Sequence, residues 1–195
     1  MKKKFSKILG VGVTLALLCS LLLVAAPVSA LTQPSVTLDN DEISATNVEY
    51  SIIFAITEDL DQGEDIIIVF PDGTDITAVD TGDVLIGATS GIGSGAFSGA
   101  VPTAVSDDGQ ELTITLATPI IGTETKIGVG ATVQVLVGNV DNPDEPGDDY
   151  TLDVSTTDEA AVTSGPYEIV VPDIGALLGI FRLYNPNGIL MAQYT

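Results

Sequence analysis

Residues 139–149 bring five carboxylates together within eleven positions. Carboxylate oxygens are the hard ligands that Ca²⁺ prefers, and this ion takes about six to eight oxygens at flexible geometry. The spacing follows no calcium-binding consensus, so a weak calcium site and a simply solvated acidic turn both stay open as interpretations. The candidate ligands are Asp141, Asp144, Glu145, Asp148 and Asp149.

A second acidic stretch, residues 58–65, does not fit an EF-hand. If Asp59 and Asp61 are taken as the first and third loop positions, Gly63 falls where a side-chain ligand belongs. Phe70 then occupies the position of the closing glutamate. We interpret this stretch as a solvated turn.

Asp80-Thr81-Gly82 matches the triplet of aspartic proteases, in which two carboxylates share one proton. The chain carries no second copy, and Thr77 and Asp83 stand where that class of enzyme has apolar or small residues. Because Asp-x-Gly is also common in surface turns, we interpret the triplet as a turn.

Paired carboxylates can also serve a glycosidase, but the chain has no tryptophan to form a sugar-binding platform, and nothing selects a pair.

Composition excludes several other kinds of site. The chain has no histidine, and its single cysteine, Cys19, lies before residue 30. The Ser-His-Asp triad and the usual zinc sites are therefore ruled out, and disulfides and thiolate sites are excluded from the rest of the chain. We predict no catalytic residue and no required cofactor, with calcium as the one open possibility.

Residues 1–30 have the composition of an export signal. Four lysines in the first seven positions precede an apolar run over 8–24, and Val28 and Ala30 supply the small residues of a cleavage site. We predict cleavage after Ala30. If the signal segment is retained instead, its apolar run is barely long enough to serve as an N-terminal membrane anchor. Cleavage leaves two bases against 27 acids, a formal net charge of −25. Such a surface repels nucleic acid and anionic membranes.

Alternating apolar and polar residues predict short strands with one wet face over most of residues 31–172. The clearest case is Val48, Tyr50, Ile52, Phe54 and Ile56. The run from Ile66 to Phe70 is apolar at every position, which favours a strand covered on both faces or one at a partner surface. We predict an all-β fold, an antiparallel sandwich of about six to nine strands. Residues 87–101 are rich in Gly and Ser and predict a loop.

Four segments resemble Ig-like sandwich modules of bacterial and archaeal cell-surface and S-layer-associated proteins. These are the strand 48–54, the strand and turn 63–73, the Asn142-Pro143 and Pro146-Gly147 pairs, and the strand 150–156. The resemblance covers about residues 35–171 and implies an Ig-like β-sandwich. Residues 173–195 then form a tail or linker, and in similar proteins such a linker leads into a β-helix, so a downstream domain is possible.

The resulting hypothesis is a secreted or cell-surface module that is structural or adhesive in a prokaryotic envelope and has no catalysis of its own. Its partners would be other envelope components, and no membrane contact is expected after signal cleavage. Exposed strand edges also allow self-association. The alternatives are a carbohydrate- or protein-binding module, with or without stabilising calcium, and a carboxylate-based hydrolase.

Overall fold

The computed structural model describes residues 30–89, 102, 104–120, 124–172, 181–185, 187 and 190–194, and these confirm the predicted all-β fold. None of them belongs to a helix that could cross a membrane. The strands in this part of the chain are β1 Ser35–Leu38, β2 Val48–Ala55, β3 Leu60–Asp61, β4 Asp65–Val69, β5 Val84–Ala88, β6 Ala104–Asp108, β7 Glu111–Thr115, β8 Lys126–Ile127, β9 Thr132–Val140, β10 Gly147–Tyr150, β11 Asp153–Thr156, β12 Val162–Thr163, β13 Tyr167–Ile169, β14 Phe181–Tyr184 and β15 Leu190–Tyr194.

Two sheets form the body of the sandwich. One has the strand order β1-β2-β9-β5 and the other β12-β11-β4-β7-β6, and every ladder in them is antiparallel. Together they contain nine strands, within the predicted range. The pairs β3–β8, β10–β13 and β14–β15 are separate two-stranded sheets. Side chains from both large sheets belong to one hydrophobic core.

The predicted alternation sets the inward face of β2 and β9. Tyr50, Ile52 and Phe54 are at most 2% exposed, and they pair in register with Val137, Val135 and Val133. The outer face between them is mixed: Ile53 is 37% exposed there, and the Gln134 amide donates a hydrogen bond to the Ser51 hydroxyl over 2.8 Å. The two-residue period of a strand is therefore sufficient to predict which side chains are buried here.

The structure excludes one of the two environments predicted for strand β4. Ile66 and Ile68 are fully buried, whereas Val69 is 38% exposed and Ile67 is half-buried. The prediction of a strand covered on both faces is wrong, because β4 is central within its sheet, between β11 and β7, and still has one face towards solvent. An uninterrupted apolar run does not say which face is covered.

Two turns contain a glycine with a positive φ. The Thr74 N–H donates to the Pro71 carbonyl over 3.2 Å, and Gly73 adopts φ +90°. Residues Gly109 and Gln110 connect β6 to β7, with Asp108 opposite Glu111. Both glycines, at φ +90° and +72°, occupy the left-handed region that residues with a Cβ rarely adopt.

The predicted strand 150–156 is two strands. Tyr150 ends β10, which pairs with β13, and Asp153 begins β11, which pairs with β4 and β12. The alternation continues across this junction because a period of two reports the buried face and not the pairing partner. Leu152, at the junction, is buried.

Several predictions fall on other parts of the chain. Residues 1–29 of the export signal, residues 90–101 of the Gly/Ser-rich loop and residues 173–180 of the tail lie outside the described residues. Of the predicted loop, the positions up to Ala88 belong to β5 instead. In the tail, β14 and β15 form an antiparallel hairpin.

Two neighbouring isoleucines test the one-sided burial of β4. We expect Ile68→Ala to lower the free energy of unfolding by about 2–5 kcal/mol, since it removes a fully buried side chain. Ile67→Ala makes the same chemical change on the half-buried face, and we expect less than half that loss. Urea denaturation of both variants measures the difference, and equal losses would show that both faces are covered.

Candidate functional site

Three loops meet at one end of the sandwich: residues 39–47, 71–83 and 139–149, here called the Asn142 end. The Asp75 and Asp141 backbones exchange two hydrogen bonds, of 3.0 and 2.9 Å. The Ser44 N–H donates to the Pro143 carbonyl over 2.9 Å. Residues 139–149, here called the acidic loop, are thus held by both of the other loops.

The side chain of Asn142 is the centre of these contacts. It is 4% exposed, and its amide nitrogen donates to the carbonyls of Asn40 and Glu42, both over 2.9 Å. Its Oδ1 accepts a 2.7 Å hydrogen bond from the Tyr50 hydroxyl, and its backbone N–H donates to the Ala45 carbonyl. Both amide protons and the carbonyl oxygen are therefore used, which is what a buried amide requires.

An aromatic cluster lies behind Asn142. The Tyr50 ring makes edge contacts with Phe70 and Tyr167, with centroids 5.5 and 6.0 Å apart, and Tyr167 stacks on Tyr150 at 6.1 Å. Burial raises the pKa of Tyr50 and of Tyr167 far above the usual range of a phenol. The Tyr50 hydroxyl is the one that donates to Asn142.

The five predicted calcium ligands are not equivalent. Asp141 Oδ1 accepts the Asn47 N–H over 3.1 Å, so it holds the strained Asn47, which has φ +57°. The other four are exposed: Asp144, Glu145, Asp148 and Asp149. In the part of the chain that the structure describes, no three acidic side chains are grouped as a metal site. Calcium binding by this loop stays a prediction.

Tyr150 closes the acidic loop. Its hydroxyl donates to the Glu145 carbonyl over 2.8 Å, and its ring lies so near Gly147 that an added Cβ would come within 2.9 Å of it. Burial, followed by the nearby carboxylates of Glu145, Asp144 and Asp149, raises the pKa of Tyr150. The loop therefore folds around a tyrosine ring.

The protease-like triplet forms a turn. Asp80 Oδ1 accepts the Gly82 N–H over 2.6 Å, and the Asp83 N–H donates to the Asp80 carbonyl over 3.1 Å. Asp83 reciprocates, since its Oδ2 accepts the Asp80 N–H over 3.0 Å. Asp80 is exposed and leads into β5. The carboxylate is occupied as a turn acceptor, as the turn interpretation of the sequence expects.

The opposite end of the sandwich contains the acidic stretch 58–65. Asp59 forms an ion pair with Lys126 through Oδ2, and its Oδ1 accepts the Val129 N–H over 2.7 Å. The hydrogen bond from Lys126, then that from Val129, lowers the pKa of Asp59. Glu64 Oε2 accepts the Asp61 N–H over 2.6 Å, while burial raises the pKa of Glu64.

Acidic side chains share one task at both ends: they accept hydrogen bonds from backbone N–H groups. Charged acceptors make stronger hydrogen bonds than neutral ones, so each such contact fixes a turn or a loop. Within the described residues eight acids do this, namely Asp39, Asp59, Glu64, Asp75, Asp80, Asp83, Asp141 and Glu159.

Sequence reasoning missed Asn142 and Glu159. Asn142 was part of the family resemblance, but a single amide among carboxylates has no spacing that marks it as buried. Glu159 is 4% exposed and accepts hydrogen bonds from the N–H and the hydroxyl of Thr57, both over 2.7 Å. It follows Asp158, which is exposed, and no local pattern separates the two.

Removal of the buried amide tests its central position. We expect Asn142→Ala to lower the free energy of unfolding by at least about 2 kcal/mol, because it leaves a buried phenol and two carbonyls without their partner. Tyr50→Phe alone should cost less. In the Asn142→Ala background the loss from Tyr50→Phe should shrink, and strictly additive losses in urea denaturation would contradict the contact.

The ion pair at the opposite end predicts a pH effect. Because the folded pKa of Asp59 is lowered, its contribution to stability is present at neutral pH and is lost as the pH falls through that folded value. We expect Lys126→Met to raise the pKa of Asp59 towards the ordinary value of about 3.9.

Carboxyl NMR titration between about pH 2 and pH 6 measures the change. Asp75 is the internal control, since the Thr77 hydroxyl and then the Thr77 N–H lower its pKa without any cation. Its titration should not move in Lys126→Met. An unchanged Asp59 titration would show that the cation is not the cause.

Comparison with known proteins gives limited similarity. No family model and no curated protein match the chain. Among solved structures, BslA, a bacterial hydrophobin, has 12% identity and a TM-score of 0.40, covering 74% of this chain and 99% of its own. A DUF4466 family protein from Parabacteroides merdae has 15% identity and a TM-score of 0.41, covering 73% of this chain and 46% of its own. A family GH18 chitinase from Chromobacterium violaceum has 14% identity and a TM-score of 0.28, covering 76% of this chain and 21% of its own. At these levels of similarity no function is transferred.

Proposed function

We propose that this chain is a secreted or cell-surface module with a structural or adhesive role in a prokaryotic envelope and without catalysis of its own. The observation that carries the proposal is the use of carboxylates as acceptors for backbone N–H groups, seen at both ends of the sandwich. A catalytic carboxylate must be available to a substrate. Here Asp59, Asp80 and Asp141 accept backbone hydrogen bonds and hold loops in place.

Rigidity at the Asn142 end supports an adhesive role. The buried amide joins residues 39–47 to the acidic loop, and Tyr150 closes that loop from within. Four carboxylates then stand exposed on a fixed backbone: Asp144, Glu145, Asp148 and Asp149. A preorganised acidic surface loses little conformational entropy on contact with a cation-bearing or basic envelope component.

Export and the acidic exterior support the proposed location. The N-terminal residues have the composition of an export signal, and cleavage after Ala30 leaves a net charge of −25. Mutual repulsion at that charge keeps copies soluble and disfavours contact with nucleic acid or anionic lipid. The resemblance to Ig-like modules of cell-surface proteins agrees with this location. The proposal includes self-association through sheet edges, since β1 and β6 are outermost among the described strands of their sheets.

Co-sedimentation with isolated cell envelopes tests the proposed role. We expect residues 31–195 to bind saturably, and a variant with Asp144→Asn, Glu145→Gln, Asp148→Asn and Asp149→Asn to bind at least several-fold more weakly because the exposed charge of the loop is removed. These positions are exposed, so the variant should retain the melting temperature of the wild type within a few degrees.

A hydrolase screen with Asp80→Asn is the control for catalysis. We expect no turnover by either protein. Turnover by the wild-type protein would overturn the non-catalytic assignment, and its loss in Asp80→Asn would identify the responsible carboxylate. Absence of saturable envelope binding would overturn the adhesive assignment. Equal binding by the charge-neutralised variant would show that the acidic loop is not the contact surface.

A further inference from the structure

Glu159 is a buried carboxylate without a cationic partner among the described residues. It is 4% exposed, and its Oε1 accepts two hydrogen bonds from Thr57, one from the N–H and one from the hydroxyl, each 2.7 Å long. Lys126, which forms an ion pair among the described residues, pairs with Asp59 and not with Glu159. A buried carboxylate is costly unless hydrogen bonds and an opposite charge compensate it.

The predicted cleavage site lies beside this carboxylate. The Thr57 hydroxyl that donates to Glu159 is also 3.2 Å from the carbonyl oxygen of Ala30, and Ala30 forms a parallel bridge with Ala160, the residue after Glu159. A hydroxyl has one proton and here faces two acceptors. In the uncleaved chain the Ala30 carbonyl and the Glu159 carboxylate therefore compete for a single donor.

We propose that cleavage of the Ala30–Leu31 bond completes this site, with the new α-ammonium group of Leu31 as the cationic partner of Glu159. In the cleavage step, a signal-peptide-cleaving protease adds water across the amide bond. The Ala30 carbonyl carbon takes the hydroxyl and leaves as a carboxylate with residues 1–30, and the Leu31 nitrogen becomes the ammonium. The inference rests on the predicted export signal and not on the proposed structural role.

Standard peptide geometry places the new ammonium close enough. The oxygen and nitrogen of one peptide group are about 2.3 Å apart, so the Leu31 nitrogen lies within about 5.5 Å of the Thr57 hydroxyl oxygen. Glu159 Oε1 is 2.7 Å from that oxygen. Once the Ala30 carbonyl has left, the hydroxyl can donate to Glu159 and accept from the ammonium, either as a bridge or beside a direct ion pair.

The new terminus is held in place by its own neighbours. The Leu31 side chain is 5% exposed and belongs to the hydrophobic core. The Thr32 N–H donates to the Ala55 carbonyl over 2.9 Å, and the Ala55 N–H donates to the Thr32 hydroxyl over 2.8 Å. These contacts fix the first two residues after the cleavage site, so the ammonium cannot move far from Glu159.

The experiment compares two N-termini in the presence and absence of the carboxylate. One protein begins at Leu31, and the other begins at Ala26 and keeps the Ala30–Leu31 peptide bond. Each is made with Glu159 and with Glu159→Gln, which keeps an acceptor oxygen for Thr57 and removes the charge. Urea denaturation at pH 7 measures the unfolding constants of all four proteins, and mass spectrometry of the secreted protein identifies its natural N-terminus.

We expect Glu159→Gln to raise the unfolding constant about tenfold more in the Leu31 form than in the Ala26 form, which corresponds to one unit of pKa change in the amine. The Leu31 amine, titrated by NMR, should have a pKa raised above its ordinary value of about 7.7–8.0. The added stability should be complete below that ordinary value and be lost as the pH rises through the raised one.

An equal effect of Glu159→Gln in both forms would overturn the proposal, as would an amine that titrates at its ordinary value. A natural N-terminus other than Leu31 would also overturn it. If Glu159→Gln prevents folding of the Leu31 form, the amine titration in the wild-type protein still decides the question. None of these results depends on envelope binding, so failure here is distinct from failure of the proposed structural role.

Discussion

Carboxylates in this chain must find uncharged hydrogen-bond donors, because only two cationic side chains follow residue 30. The described structure meets this constraint with backbone N–H groups in turns and loops, as at Asp80 and Asp141. In other proteins, acidic residues are often explained as a solvated surface alone. Here part of the negative charge is structural, and the organisation of both ends of the sandwich depends on it.

Buried polar groups at the two ends solve the same problem in different ways. At the Asn142 end a neutral amide uses all of its donors and its acceptor on protein groups, so no charge is buried. At the other end Glu159 is buried and relies on Thr57. A neutral amide has no charge to compensate, whereas a buried carboxylate requires hydrogen bonds or an opposite charge.

The sequence predicts the sandwich well where one face of a strand is apolar and the other polar. The alternation through Tyr50, Ile52 and Phe54 identifies the buried face directly, because successive side chains point to opposite sides. For the run from Ile66 to Phe70, where both faces are apolar in sequence, it leaves two environments open. In the fold one face is buried, and on the other Ile67 is half-buried and Val69 is exposed. The break after Tyr150 is also invisible, since the alternation does not change when the chain changes pairing partner.

The candidate sites were predicted less well, for a physical reason. A loop side chain owes its environment to segments distant in sequence: Asn142 meets Asn40 and Tyr50, and Glu159 meets Thr57, about 100 residues away in each case. The spacing of neighbouring residues in the sequence therefore does not predict such contacts. The turn at Asp80 was predictable because its hydrogen bonds join residues at most three positions apart.

The pairing of β2 with β9 has a consequence for the order in which the protein folds. Ser51 and Gln134, which are hydrogen-bonded across these strands, are 83 residues apart, so the first sheet cannot assemble until most of the polypeptide has been synthesised. Topologies dominated by distant contacts fold slowly. While residues 132–140 are still missing from a growing chain, β2 therefore lacks one of its two pairing partners, β9.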